Sequence, residues 1–294
     1  MSDLRERDLD VRGLRLHLRE RGPEGGPACV LLHGWLDTSG SFDLLAPILS
    51  AAGVHTFALD LRGHGDSGWV GPGGFYHLAE YLADLDGALD ALGLAGAGGA
   101  PVRLLGHSLG ATVSLLYAGT KPARVAHVAL LDGLPIVVQP GEIPGRLAAY
   151  LDDLKLPRTR RAVASLALAA ERVRKVSPLL REDAALHLAR TGTGPDPEQG
   201  AALAWKWDPW LRAHSPMPLV EAAFQELLPH VTAPVLLVRA GTTWIPEEAD
   251  LRARLARMPG PLAIETVGGT SHHLHLEEPA EVSRRVLAGW AQLR

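Results

Sequence analysis

Cysteine is almost missing from this chain. Cys29 is alone among 294 residues, so no disulfide can form within the chain. It sits in the apolar run Ala28-Cys29-Val30-Leu31-Leu32, where a buried, inert thiol is expected. Lysine is also scarce. Only Lys121, Lys155, Lys175 and Lys206 occur, and arginine supplies the rest of the 29 basic residues. We read this as compositional bias rather than a binding site. The formal net charge is −4, so no basic field is available for nucleic acid or an anionic membrane. Long hydrophobic runs are absent too. The apolar stretch 162–170 is far too short to span a bilayer. The first ten residues are charged and lack an apolar core, so no signal peptide is expected. These absences together predict a soluble, cytoplasmic protein.

Hydrophobic residues make up 47% of the chain, enough for a full core. The length suits one large α/β domain with an insertion, or two small domains. Residues 9–18 alternate loosely around Gly13 and predict an opening hairpin. Residues 28–32 are a continuous apolar run, as expected of a strand buried on both faces of a parallel sheet. Further strands are predicted over 54–59, 101–105, 125–131, 235–238 and 262–267. Helices are predicted over 41–49, 77–92, 109–117 and 279–293. Residues 93–99 form a Gly/Ala-rich loop. Strands alternating with helices imply a mostly parallel sheet. From 134 to about 230 the strand signal vanishes. We expect a helical cap over 134–230, broken near Pro157, Pro178 and 191–197, inserted into a core of 1–133 and 231–294. Following a strand's C-terminal end, it would lie above the ligand-binding edge of the sheet.

The most informative segment is Gly106-His107-Ser108-Leu109-Gly110. It is a G-x-S-x-G pattern between a predicted strand and a predicted helix, the context this motif requires. A serine hydroxyl becomes a useful nucleophile only beside a base and near N–H donors. Ser108 is the candidate. The base should lie later in the chain, in Thr270-Ser271-His272-His273-Leu274-His275, after the last predicted strand. His272 comes soonest after the Gly268-Gly269 turn and is preferred over His273 and His275. Three close histidines also raise a metal site, but no carboxylate or cysteine completes a standard spacing, and none is expected.

The acid is harder to place. Hydrolases of this layout most often carry it after the 235–238 strand. There the loop reads Ala240-Gly241-Thr242-Thr243-Trp244-Ile245-Pro246, with Trp244 in the slot. Asp132 ends the 125–131 strand, beside the nucleophile strand, and is preferred; it would fix the histidine tautomer. Glu247, Glu248 and Asp250 are the fallback choices. Two backbone N–H groups should hold an oxyanion, and we assign them to Leu109 and Trp35. His107, Leu134, Trp205, Trp207, Trp210 and Trp244 are candidates for the substrate pocket. Residues 60–67 are polar and glycine-rich, but lack the ending of a phosphate loop.

Together these residues resemble the α/β-hydrolase superfamily. Leu32-His33-Gly34-Trp35-Leu36-Asp37 with Ser41-Phe42-Asp43, Gly106-His107-Ser108, Leu130-Leu131-Asp132 and Arg190-Thr191-Gly192-Thr193 are similar to the serine hydrolase-like protein family within it. The resemblance implies the α/β-hydrolase fold: a mostly parallel central sheet flanked by helices, with a helical cap insertion. It also implies a triad that maps onto Ser108, Asp132 and His272. Haloalkane dehalogenases and epoxide hydrolases share the layout but use aspartate as nucleophile, and Ser108 argues against both.

The reading that follows is a serine hydrolase cleaving a carboxylic ester or related acyl bond, without a cofactor. Its partner would be a small, apolar, ester-type molecule, with no nucleic acid and no membrane; the oligomeric state stays open. A small-ligand-binding protein with little turnover is one alternative. A cofactor-free lyase or peroxidase using the same triad is the other.

Overall fold

The computed structural model describes residues 4–96, 99–196 and 203–293. The chain opens with a hairpin, β1 (Arg5–Val11) and β2 (Leu14–Arg21). Arg12 and Gly13 turn it, both at positive φ, the geometry that matches the twist of the flanking strands. Then come β3 (Ala28–Leu32), α1 (Ala46–Ala51) and β4 (His55–Leu59). The expected 41–49 helix is split: a 3-10 turn, Ser39–Phe42, precedes α1, which starts beside Pro47. Next are α2 (Leu78–Ala91), β5 (Val102–His107), α3 (Leu109–Thr120) and β6 (Val125–Leu131). The Gly/Ala-rich loop 93–99 falls between α2 and β5, and its residues 97 and 98 lie outside the described residues.

The segment after β6 is not purely helical. It holds α4 (Ile143–Asp153), α5 (Leu166–Val176), α6 (Glu182–Gly192) and α7 (Glu221–Leu227). It also holds a small antiparallel sheet of β7 (Ala162–Val163), β8 (Thr193–Pro195) and β9 (Leu203–Trp205), in the order β7-β9-β8. These strands are two or three residues long, too short for an alternating pattern to register. The break expected at 191–197 becomes the end of α6 and β8, and Pro197 lies outside the described residues. The chain then returns through β10 (Val235–Ala240), α8 (Glu248–Arg254), β11 (Leu262–Val267), α9 (Leu274–Glu277) and α10 (Pro279–Gln292).

The main sheet has eight strands in the order β1-β2-β4-β3-β5-β6-β10-β11. β1 and β2 run antiparallel and the other six are parallel to one another. Helices cover both faces, so the central strands are buried on both sides, and alternate residues serve two cores. Val30, Leu32, Leu104 and Leu130 face one core with Leu85 and Leu89 of α2 and Leu115 of α3. Cys29, Leu31, Leu105 and Leu131 face the other with Leu49 of α1 and Val286 and Trp290 of α10. Burial pushes the Cys29 thiol far up, which keeps it inert. A third, smaller core of Val163, Ala169, Ala185 and Leu188 lies within the insertion and closes onto Leu276. Among the described residues, no helix is long and apolar enough to cross a membrane.

Candidate active site

β5 ends at His107, and α3 begins at Leu109, so Ser108 makes the whole turn between them. It does so at φ 52° and ψ −110°, a left-handed conformation that a non-glycine residue holds only under constraint. The constraint is visible. Its N–H donates to Leu131 O at 3.1 Å, at the tip of the neighbouring strand. The two motif glycines serve space rather than a left-handed turn. A Cβ on Gly110 would lie 1.9 Å from Leu32 O, and one on Gly106 would lie 2.2 Å from the Gly110 carbonyl. Helix α3 therefore packs directly against the tips of β3 and β5.

Three residues that are far apart in the chain meet here. Ser108 Oγ donates to His272 Nε2 at 3.0 Å, and His272 Nδ1 donates to Asp132 Oδ2 at 2.8 Å. Asp132 is fully buried. Its Oδ1 accepts the Ala240 N–H at 2.9 Å, and its own N–H donates to Val238 O at 2.9 Å. β6 lies between β5 and β10, which puts the β6 tip within reach of both. The last residue of β10 thus supplies a backbone donor to the carboxylate, and the loop after it supplies no carboxylate of its own. Trp244 in that loop is half exposed and faces the cleft. The fallback acids are engaged or turned away: Glu247 pairs with Arg239, Glu248 pairs with Arg252, and Asp250 is exposed on α8. Among the other histidines, His273 Nδ1 is 2.6 Å from Ser177 Oγ, and His275 is buried against Phe42. Neither is hydrogen-bonded to Ser108.

The loop after β3 lies against the nucleophile. A Cβ on Gly34 would stand 3.3 Å from Ser108 Cβ. His33 organises this loop from beneath. Its Nδ1 donates to Gly34 O at 2.7 Å, and its Nε2 accepts the Leu61 N–H at 3.0 Å. Burial lowers its pKa to about 4, so it stays neutral and keeps that tautomer. The backbone N–H groups of Trp35 and Leu109 donate to no acceptor among the described residues. The Trp35 indole donates to Leu211 O at 2.9 Å, tying the loop to the insertion. Asp37 follows closely, and burial raises its carboxyl to about 7.

Above Ser108 opens a cleft of about 320 Å³ walled by Trp35, Leu78, Leu134, Ile136 and Trp244. A second, of about 220 Å³, shares Trp35, Leu78, Leu109 and Ile136 with it and continues to Phe75, Trp210, Met217, Leu219 and Arg146. Leu134, Trp210 and Trp244 thus line these clefts, and three other expected pocket residues do not. Trp207 is buried in the main core and bridges to His64. Trp205, in β9, packs between the main core and that of the insertion. His107 is buried, because neighbouring strand residues face opposite ways and Ser108 takes the open side. Phe75, Ile136, Arg146, Met217 and Leu219 were not foreseen. Most come from irregular or short elements, where no period marks a face.

The chain matches the model of the Alpha/beta hydrolase family over residues 29–285. A serine hydrolase-like protein of Danio rerio is 35% identical over 111 residues, 38% of this chain and 32% of that protein. The chain spans between about a third and a half of the length of such curated relatives. A solved structure of a hypothetical protein from Pseudomonas aeruginosa PAO1 is 33% identical and covers 98% of both chains, with a TM-score of 0.84. The thioesterase domain from the curacin biosynthetic pathway is 25% identical, covering 97% of this chain and 99% of that one, with a TM-score of 0.83.

Proposed function

The chain belongs to the Alpha/beta hydrolase family, and from that premise we propose that it is a serine hydrolase of carboxylic esters or related acyl bonds, thioesters among them. The observation that carries this reading is the unbroken line of hydrogen bonds from Ser108 Oγ through His272 to buried Asp132. In this reading His272 Nε2 takes the Ser108 proton as Oγ attacks the acyl carbon. Asp132 holds the ring in the required tautomer and stabilises the imidazolium. The N–H groups of Trp35 and Leu109 receive the oxyanion, and His272 returns the proton to the leaving group. Water, activated by the same ring, then releases the acyl group from Ser108.

The acyl intermediate is also what selects the substrate class. An epoxide opened by Ser108 would leave an alkyl ether, which has no carbonyl for water to attack. An acyl-serine has one. Residues 1–133 with 231–294 act as the catalytic core, and residues 134–230 as a cap that shapes specificity. The apolar walls favour an apolar acyl chain, and among the described residues Arg146 offers the one charge in the lining of either cleft. The single buried cysteine suits a reducing compartment, and we place the protein in the cytoplasm.

Hydrolysis of a p-nitrophenyl ester series, from acetate to decanoate, tests this. Turnover that is abolished in Ser108→Ala, with a preference for chains longer than acetyl, supports it. Ester binding without product would return the chain to a ligand-binding role. Product other than acid and alcohol would point to lyase or peroxidase chemistry.

A further inference from the structure

Behind Ser108 and His272, on the core side of the turn, lie polar atoms that the triad does not use. His107 Nδ1, both ring nitrogens of His275 and Asp37 Oδ2 are shut off from solvent and have no hydrogen-bond partner among the described residues. His107 and His275 are buried almost completely. One ligand atom from each of the three residues lies within 4.8 Å of the others. Buried polar atoms are nearly always paired, so several orphans on three neighbouring residues call for a partner.

We propose that Asp37, His107 and His275 form a buried transition-metal site that takes one divalent first-row ion such as Zn2+. Two imidazoles and a carboxylate are a donor set such ions favour. Around zinc, ligand atoms at roughly 2.0–2.2 Å stand about 3.4 Å apart, so a small contraction closes the site. The tautomer is already set. His107 Nε2 donates to His272 O at 2.7 Å, which leaves the buried Nδ1 lone pair without a hydrogen bond and free to ligate. A ligating histidine usually has its other N–H engaged in this way. The two rings lie 4.4 Å apart between centroids, and burial keeps both neutral, as ligation requires. The chain alone did not reveal this set. Its histidine run lacked a carboxylate, and the fold supplies Asp37 from the loop after β3 and His107 from the end of β5.

The position gives the ion a role. Asp37 follows the proposed oxyanion loop, His107 precedes the nucleophile, and His275 follows the base. One ion would clamp all three loops without touching substrate. This inference does not rest on the serine chemistry, and its test does not read activity.

The test uses the full chain, treated with chelator and dialysed. Zn2+ binding is then measured by calorimetry and thermal shift. One ion per chain with a raised Tm is expected. Asp37→Asn and His275→Gln should each weaken binding by about a hundredfold or more, while His272→Ala keeps it. The Co2+-loaded protein should show visible d–d bands that vanish in the same two variants. Should His275→Gln fail to fold, Asp37→Asn carries the test, with circular dichroism as its check. Wild type that binds no ion overturns the proposal, leaving the orphan atoms to an ordered water. Binding lost in His272→Ala but kept in folded Asp37→Asn overturns it as well, and would put the ion at the catalytic histidine.

Discussion

The C-terminal edge of the main sheet and the 134–230 segment are built on opposite terms. At the sheet edge, the proposed nucleophile, the acid and the turn at Gly110 are held by backbone hydrogen bonds. Ser108 is tied to Leu131, Asp132 to Val238 and Ala240, and Gly110 to His33. Packing is tight at Gly110, where a Cβ would lie 1.9 Å from Leu32 O. The 134–230 segment has short elements, a small alanine-rich core, and exposed Ile136, Leu151, Leu156, Val176 and Met217. The difference teaches where each property resides. Under the proposed function, reactivity would depend on positions fixed by strand register, and selectivity on a surface whose side chains can change without disturbing the sheet.

Substitutions at the edge should therefore be severe and those in the segment mild. Ser108→Ala should lower kcat on the order of a millionfold, with Tm nearly unchanged; residual turnover of even a percent would separate the chemistry from the edge. Asp132→Asn should lower kcat by about 10⁴-fold. An Asn amide oxygen can still accept the Ala240 N–H, so circular dichroism should report a folded chain. Near-normal turnover in this variant would move the acid elsewhere. Gly110→Ala tests the rigidity itself. Its Cβ would meet Leu32 O, and denaturant unfolding should show a loss of about 3 kcal/mol or more. A loss below about 1 kcal/mol would mean that the edge yields.

The segment gives the contrasting arm. Ile136→Ala removes a wall shared by both clefts. It should shift the preferred acyl length, changing the ratio of kcat/KM between two neighbouring chain lengths by about tenfold to a hundredfold, with stability held. Leu151→Ser, at an exposed position, should change stability by within about 0.5 kcal/mol. A large loss there would show the segment to be as tightly determined as the sheet.

The same contrast explains how much of the molecule is legible in its sequence. Strands β3, β6 and β11 are legible to the residue, β3 because its continuous apolar run reports burial on both faces. The hairpin turn was legible through Gly13, and the G-x-S-x-G pattern through its strand and helix context. The choice of Asp132 depended on strand order, which a run of residues suggests only through topology. In the segment, β7 to β9 are too short to carry a period. Tryptophans there look alike in the chain: Trp205 and Trp207 serve packing while Trp210 faces the cleft, and only the fold separates them. Asp37 and His107 were part of a recognisable motif, yet their approach to His275 depends on three loops meeting.

Whether Ser108 is an activated nucleophile is tested most directly by intact mass after treatment with a fluorophosphonate. One adduct per chain is expected on wild type, absent from Ser108→Ala and much slower to form in His272→Ala. A folded wild type that takes no adduct, or one that takes it equally in Ser108→Ala, would contradict the account.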